Sequence, residues 1–261
     1  MDETIRKPDI GATIRVDAAP TNSKSNIETT VRPGSVADDS QAGDGDFILK
    51  GRIYRGIKCL SDNSGEAQVY LVHGEEGEMV LKIYYPNFTI KKQLMRIVQN
   101  FNMEMLVRVV DYGKTYVDGK NRDYELMEYL RGGTLAEYDL DGNFVQFRRI
   151  ALQAAAALAY CHNNNIIHKD IKPSNYFFRD KDHKEVVLGD FGISSIMEGE
   201  ERMHRTTQAR TPVFAAPEMY TDVIDGEVEI TPSVDFYSLG ITLMSLWLGE
   251  NPLSQNERVM P

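Results

Sequence analysis

Three short polar segments, in a fixed order, constrain this chain more than any other feature. They are His168–Asn175, Asp190–Gly192 and Ala216–Glu218, and a short strand pattern separates the first two. Each segment alone would be weak evidence, because short motifs have many chance matches. Their occurrence together, in this order, is far more specific than any one of them.

In this order the segments resemble the catalytic loop, the metal-binding loop and the activation-segment anchor of protein kinases. The run Asp170-Ile171-Lys172-Pro173-Ser174-Asn175 resembles Ser/Thr kinases in particular, since tyrosine kinases usually lack lysine at the position of Lys172. We therefore interpret the chain as a eukaryotic-like (Hanks-type) Ser/Thr protein kinase and expect a bacterial source. The resemblance covers about residues 53–248 and implies ATP and Mg²⁺ as cofactors and a protein substrate that carries Ser or Thr.

The resemblance assigns a role to each catalytic residue. Phosphoryl transfer needs the γ-phosphate held in line, its charge neutralised and the attacking hydroxyl oriented. Asp170 would orient the substrate hydroxyl, and Lys172 would neutralise charge on the transferred group. Asn175 and Asp190 would hold Mg²⁺, a hard cation that takes oxygen ligands. In the same family pattern, His168 packs beneath Phe191 and Asp235 accepts backbone bonds from the catalytic loop.

Nucleotide binding is predicted from three further segments. Lys82 resembles the strand lysine that grips the α- and β-phosphates, and Met127–Leu130 resembles the hinge that meets adenine. Leu60–Val69 aligns with the glycine-rich phosphate loop, although Asp62, Ser64 and Ala67 replace glycines and reduce the backbone's freedom for close approach. The predicted ATP-binding residues are Leu60, Ser64, Gly65, Val69, Val80, Lys82, Glu128, Leu130, Asn175 and Asp190.

The fold class predicted from these patterns is α+β, with two lobes. Strand patterns at 54–60, 68–72, 79–84, 106–110 and 124–129, with helical spacing at 90–100, predict a small antiparallel-sheet N-lobe over residues 47–130. A mainly helical C-lobe over residues 131–261 would begin with a helix at Gln146–Cys161. We expect this lobe to be incomplete after the helix that contains Leu239–Leu248, which is apolar all round and should be buried.

Residues 1–46 form a separate, Thr-rich tail that lacks aromatic residues and is predicted to be disordered. A weak repeat of Thr, a β-branched residue and Arg occurs in it three times. This repeat makes Thr4, Thr13, Thr29 and Thr30 candidate phosphorylation sites. A phosphothreonine-reading (forkhead-associated) domain would then be a partner, because phosphate pairs well with arginine. Chance in a Thr-rich tail is the competing interpretation.

The segment between Ile193 and Ala216 would be the activation segment. Thr211 is assigned the role of the threonine that bonds the catalytic aspartate. Thr206 and Thr207 are candidates for regulatory phosphorylation, with nearby basic residues as partners for a phosphate. The ordinary polarity of a surface loop explains the same residues nearly as well.

The sequence departs from the protein kinase pattern in the helix that follows Lys82. Residues 83–103 contain no Asp or Glu, although kinases carry a glutamate there that pairs with the strand lysine. Gln93 or Leu94 takes that position. A pseudokinase that binds nucleotide or partners without efficient transfer is therefore the main alternative. A small-molecule phosphotransferase of the aminoglycoside type is a weaker one, because Lys172, the long activation segment and Ala216–Glu218 count against it.

Composition and charge argue against a nucleic-acid-binding, membrane-spanning or secreted protein. The net charge of −10 argues against a nucleic-acid binder, which usually presents a basic patch. The longest apolar runs are shorter than the ~20 residues that span a bilayer, and Met1–Ile10 lacks the apolar centre of a signal peptide. Cys59 and Cys161 lie in apolar patterns and are expected to be buried free thiols. We therefore expect a cytoplasmic protein.

Overall fold

The computed structural model describes residues 45–61, 65–197, 212–219 and 230–253. The predicted disordered tail lies outside them except for residues 45 and 46. Ser64, Thr206, Thr207, Thr211 and the four tail threonines also lie outside the described residues, so their predicted roles stay predictions.

The first part of the chain forms a six-stranded antiparallel sheet with the strand order β1-β2-β3-β4-β6-β5. Its strands are β1 Asp46–Leu49, β2 Arg52–Ser61, β3 Ala67–Gly74, β4 Gly77–Tyr84, β5 Val109–Val117 and β6 Lys120–Glu128. The strand expected at 106–110 was misplaced, since β5 begins at Val109 and continues to Val117. Leu106 instead forms an isolated parallel bridge to Leu188, which joins the sheet region to the later chain.

Helix α1, Lys92–Gln99, is the one helix among the described residues of this part, as the helical spacing predicted. Its buried side chains are Leu94, Met95 and Val98, which occupy neighbouring positions on one face. The buried carboxylate of Asp123 on β6 accepts a hydrogen bond from Ile90 N at 3.0 Å. This bond ties the approach to α1 to the sheet.

The second part is built on two long helices, α2 Phe144–Asn163 and α3 Ser233–Leu248. Asn143 caps α2, since its side chain accepts a hydrogen bond from Gln146 N at 3.0 Å. Gly249 ends α3 in the left-handed conformation, φ 75°. The described residues between them form four short strands, β7 Ile166–Ile167, β8 Tyr176–Phe178, β9 Val186–Leu188 and β10 Ser195–Ile196, paired as β7 with β10 and β8 with β9.

One apolar core connects the two parts. It runs from Leu94 on α1 through Val109 on β5 to Leu158 on α2 and Leu188 on β9. The apolar stripe predicted on α2 is confirmed, since Ile150, Ala154, Ala157, Leu158 and Cys161 are all buried. No described helix has both the length and the apolar character needed to cross a bilayer.

One burial prediction was wrong, and the burial of α3 is partial. Cys59 is exposed on β2, whereas Cys161 is buried as expected. Helix α3 is buried along only one side, which carries Leu239, Thr242 and Leu246. Trp247 and Leu248 are 45% and 56% exposed. Helix α3 packs against α2, and its other side is open to solvent in the described part of the chain.

Candidate active site

The catalytic-loop residues converge on one carboxylate. Asp170 Oδ2 lies 2.8 Å from Lys172 Nζ and accepts a hydrogen bond from Asn175 Nδ2 at 2.9 Å. Asn175 Nδ2 also donates to the Asp170 carbonyl at 2.7 Å, and Asn175 is buried. Because both bonds use the amide nitrogen, the amide oxygen of Asn175 remains the group suited to a cation. Three residues predicted from sequence are therefore brought together in one place.

Asp235 on α3 holds the backbone of this loop, which confirms its predicted role. Its side chain is fully buried and accepts hydrogen bonds from His168 N at 2.8 Å and from Lys169 N at 2.7 Å. His162 Nε2 lies 2.8 Å from the same carboxylate. Lys169 has a φ of 70°, a conformation that non-glycine residues rarely adopt. The buried carboxylate thus fixes a strained backbone immediately before Asp170.

His168 packs against Phe191, as predicted. Their ring centroids are 5.1 Å apart, and the Phe191 ring also lies 6.1 Å from that of Phe101 in an edge-to-face arrangement. His168 Nε2 donates to the Gly189 carbonyl at 3.0 Å, and His168 Nδ1 accepts from Asp170 N at 3.4 Å. The buried Phe191 therefore connects the catalytic loop to the segment that carries Asp190.

Asp190 meets Lys82 directly. Lys82 Nζ donates to Asp190 Oδ1 at 2.7 Å, and Asp190 has a φ of 61°. Burial favours the neutral acid, but the charge and hydrogen bond of Lys82 and the Gly192 N–H outweigh it and lower the pKa of Asp190 to about 2. Asp190 is therefore a fully ionised carboxylate at neutral pH.

Two further carboxylates lie near Lys82 that sequence reasoning missed. Glu66 Oε2, in the predicted phosphate loop, lies 3.9 Å from Lys82 Nζ. Glu125 on β6 is the cross-strand partner of Lys82 and is only 3% exposed. Burial alone would lower the pKa of Lys82, but the charges of Asp190, Glu125 and Glu66 raise it above its usual value. The pairing register of β4 and β6 would have identified Glu125, because it places this residue opposite Lys82.

The two carboxylates that form ion pairs with Lys82 in the described part of the chain, Glu66 and Asp190, both lie outside α1. Of the two residues expected at the glutamate position, Leu94 is buried in the apolar core and Gln93 is exposed. Neither side chain carries a charge that could offset that of Lys82. The carboxylate that protein kinases usually have on this helix is therefore absent from α1.

The remaining predicted nucleotide residues lie along the sheet and the segment after it. Val80 on β4 pairs with Met127 on β6, the first residue of the predicted hinge. The Glu128 carboxylate accepts a bond from Arg108 N at 2.9 Å and another from Arg179 at 2.9 Å, so this hinge is tied to both neighbouring segments. Leu60 is exposed, Gly65 has open space around it, Val69 is half-buried and Leu130 is buried.

The donor set suits Mg²⁺. Asp190 offers an ionised carboxylate and Asn175 an amide oxygen, and both are the hard oxygen donors that Mg²⁺ prefers. Asp170 and Lys172 lie next to Asn175, so a bound phosphate chain would meet positive charge from both Lys82 and Lys172. This arrangement can hold a nucleotide phosphate and orient a hydroxyl towards it.

Comparisons with known proteins agree with this geometry. The protein kinase domain family matches residues 65–260. Because this match covers more than half of the sequence, the chain belongs to the protein kinase family, and its predicted two-lobed fold class is confirmed.

Its relatives include Ser/Thr kinases. The serine/threonine protein kinase OSK3 of Oryza sativa subsp. indica is 32% identical over 164 residues, which is 62% of this chain and 30% of the rice protein. The carbon catabolite-derepressing protein kinase of Candida glabrata is 31% identical over 216 residues, or 80% of this chain and 32% of the yeast protein. The chain therefore spans about a third of the length of these relatives.

A solved structure supports the fold. The kinase PK-1 of Cydia pomonella granulovirus aligns with a TM-score of 0.61 and 22% identity, and the alignment covers 79% of this chain and 72% of the viral chain. At this identity the likeness concerns the fold alone.

Proposed function

We propose that this chain is a Ser/Thr protein kinase domain that transfers the γ-phosphoryl group of ATP to Ser or Thr hydroxyls of a protein. The observation that carries the proposal is the convergence of Lys172 Nζ and Asn175 Nδ2 on Asp170 Oδ2, at 2.8 and 2.9 Å. This contact leaves Asp170 with a second carboxylate oxygen to accept a hydrogen bond from a hydroxyl. The Ser/Thr kinase relatives support the same activity.

In the proposed reaction Asp170 orients the substrate hydroxyl and takes up its proton. A new bond forms between the hydroxyl oxygen and the γ-phosphorus, and the bond between that phosphorus and the β–γ bridging oxygen breaks, which releases ADP. Lys172 offsets negative charge on the transferred group, and Lys82 binds the α- and β-phosphates. Asn175 and Asp190 would hold Mg²⁺, which when bound neutralises phosphate charge.

Transfer of label from γ-labelled ATP in the presence of Mg²⁺ tests the proposal. Wild type should incorporate label into Ser or Thr, and Asp170→Ala should abolish incorporation while sparing ATP binding. Asp182→Asn is the matched control, because it neutralises an exposed aspartate whose side chain is bound to Lys184 and should keep full activity. Full activity in Asp170→Ala would refute the assignment.

Phosphosite mapping of the same samples tests the finer proposals. We propose autophosphorylation of the tail at Thr4, Thr13, Thr29 or Thr30 and of the activation segment at Thr206 or Thr207, with Thr211 bonding Asp170. Label on these sites in wild type, with none in Asp170→Ala, would support autophosphorylation. It would also support a forkhead-associated domain as the partner that binds the phosphorylated tail. The lobe boundaries, the bacterial source and the cytoplasmic location stay predictions.

A pseudokinase is the second candidate, and one observation favours it. Helix α1 offers Lys82 no acidic partner, and the Glu66 carboxylate lies 3.9 Å from the Lys82 ammonium, where a phosphate would bind. Thermal stabilisation by ATP without any transfer of label would favour this candidate. Repeating the transfer assay on a longer chain would test whether additional sequence restores activity.

A further inference from the structure

Helix α1 is tied at both ends to the segment that carries Asp190. Immediately before the helix, Lys91 Nζ donates a hydrogen bond to the Ser194 carbonyl at 2.8 Å. Just beyond its end, the Phe101 ring lies 6.1 Å from that of Phe191 in an edge-to-face arrangement. The helix therefore contacts residues that flank Asp190, although none of its own side chains is acidic.

Ser194 connects the Lys91 contact to the catalytic loop. It is fully buried, and its hydroxyl donates to the His168 carbonyl at 3.0 Å. Its N–H donates to the Phe191 carbonyl at 3.1 Å, which closes a tight turn after Asp190. The residues that follow Ser194 form β10, which pairs with β7 directly before the catalytic loop. The turn and the strand thus hold Ser194 from both sides.

The peptide group between His168 and Lys169 is held at both of its polar atoms. Its carbonyl accepts the bond from the Ser194 hydroxyl, and its N–H donates to Asp235 Oδ1 at 2.7 Å. Lys169 follows with a φ of 70°, and a backbone in such a conformation persists only where the surrounding contacts fix it. Together with Asp235, the Ser194 hydroxyl therefore fixes the backbone that leads into Asp170.

We propose that Lys91 and Ser194 are positioning residues that couple helix α1 to the peptide before Asp170. The ammonium of Lys91 fixes the Ser194 carbonyl, and the Ser194 hydroxyl fixes the His168 carbonyl. By this route α1 acts on the catalytic loop, although it offers no acidic residue to Lys82. The proposal rests on the proposed function, since Asp170 is the residue assigned to the substrate hydroxyl.

Steady-state kinetics of the full chain test the coupling. Lys91→Met removes the charged donor and should lower kcat about tenfold, the lower end of what a hydrogen bond to a charged group contributes, while the KM for ATP stays within about twofold. Lys91→Arg keeps a cation that can donate and should retain most of kcat. Ser194→Ala removes the hydroxyl but leaves the backbone carbonyl, and it should lower kcat by a similar factor.

Lys92→Met is the matched control. Lys92 is the next residue along the chain and is exposed, but its side chain forms no hydrogen bond or ion pair within the described part of the chain. Both substitutions remove one positive charge near the start of α1, so any effect through the helix dipole is shared. The kcat of Lys92→Met should equal that of wild type.

A double-mutant cycle tests whether Lys91 acts through Ser194. If it does, removing its ammonium should cost little once the Ser194 hydroxyl is gone. The double variant should then lose about as much kcat as either single variant, whereas independent roles would multiply to a loss of about a hundredfold. Such a multiplied loss would overturn the proposal, as would a wild-type kcat in Lys91→Met.

Amide hydrogen exchange in the nucleotide-free full chain gives a second measurement that needs no turnover. Lys91→Met should speed exchange at Ser194 N and at Lys169 N relative to Lys92→Met, because the bonds that hold them open more often. Equal exchange in the two variants would overturn the proposal. This comparison also holds if Ser194→Ala fails to fold. Absence of phosphoryl transfer in wild type would contradict the proposed function and leave the exchange result to decide this inference.

Discussion

Asp235→Ala is the substitution whose effect can be worked out most fully from the structure. The change leaves the His168 N–H, which is buried, and the Lys169 N–H, which is partly buried, without their acceptor. A buried donor left unsatisfied costs about 1–3 kcal/mol, so the His168 N–H alone should lower the free energy of unfolding by about that amount, and the Lys169 N–H should add to the loss. With m-values of about 1–3 kcal/mol/M, a loss of about 2 kcal/mol lowers the urea midpoint by about 0.7–2 M.

The same change should reduce catalysis selectively. Asp170 follows Lys169 directly, so a released loop would misplace the catalytic carboxylate and lower kcat. The affinity for ATP should fall far less, because Asp235 has no contact with Lys82 among its described bonds. Asp235→Asn keeps one acceptor oxygen and should lose about half as much stability. Its urea midpoint and its ATP titration are measured beside those of the Asp182→Asn control.

A urea midpoint of Asp235→Ala equal to that of wild type would refute this reasoning. It would mean that water or a rearranged side chain satisfies both N–H groups at no cost. Equal losses of ATP affinity and kcat would also contradict it, since the damage would then not be confined to the catalytic loop.

Three further substitutions test the electrostatics and packing. Glu66→Gln removes a carboxylate 3.9 Å from Lys82 Nζ, so initial-rate kinetics should show a lower KM for ATP; a higher KM would mean that Glu66 assists binding. Thr242→Val should raise the free energy of unfolding by about 1 kcal/mol in urea, because the Thr242 hydroxyl is buried and unpaired within the described part of the chain; lower stability would contradict this. Asp190 has a folded pKa of about 2 against an ordinary 3.8, so its stabilising pair with Lys82 is present above about pH 4 and lost as the pH falls towards 2. Asp190→Asn should therefore be less stable than wild type near neutral pH and approach it in acid, and a constant difference in acid unfolding curves would oppose this account.

Sequence reasoning succeeded where chemistry follows from local patterns. Helix α2 was predicted from an apolar stripe with helical spacing, and the stripe is the side that is buried. The catalytic loop was predicted because Asp170, Lys172 and Asn175 lie within six residues of one another. Their mutual contacts therefore needed no knowledge of the rest of the fold.

It failed where the answer depends on which distant segments meet. Glu125 becomes a neighbour of Lys82 only through the register of β4 and β6, 43 residues apart in sequence. The position of β5 was missed because its half-exposed polar residues hide the alternation that marks a strand. The apolar sequence of α3 indicated a helix with large apolar side chains on every side, but an apolar surface does not specify what covers it.

Asp235 on α3 shows how the fold prepares the catalytic loop before a substrate arrives. Its buried carboxylate holds the backbone immediately before Asp170 by accepting bonds from His168 N and Lys169 N. A charge fixed in a helix keeps its direction when ligands enter and leave, whereas one on a loop moves with them. Preorganised charge also needs no rearrangement during the reaction. The position of Asp170 therefore depends on a residue of a different element, which is why a substitution on α3 should lower kcat more than the affinity for ATP.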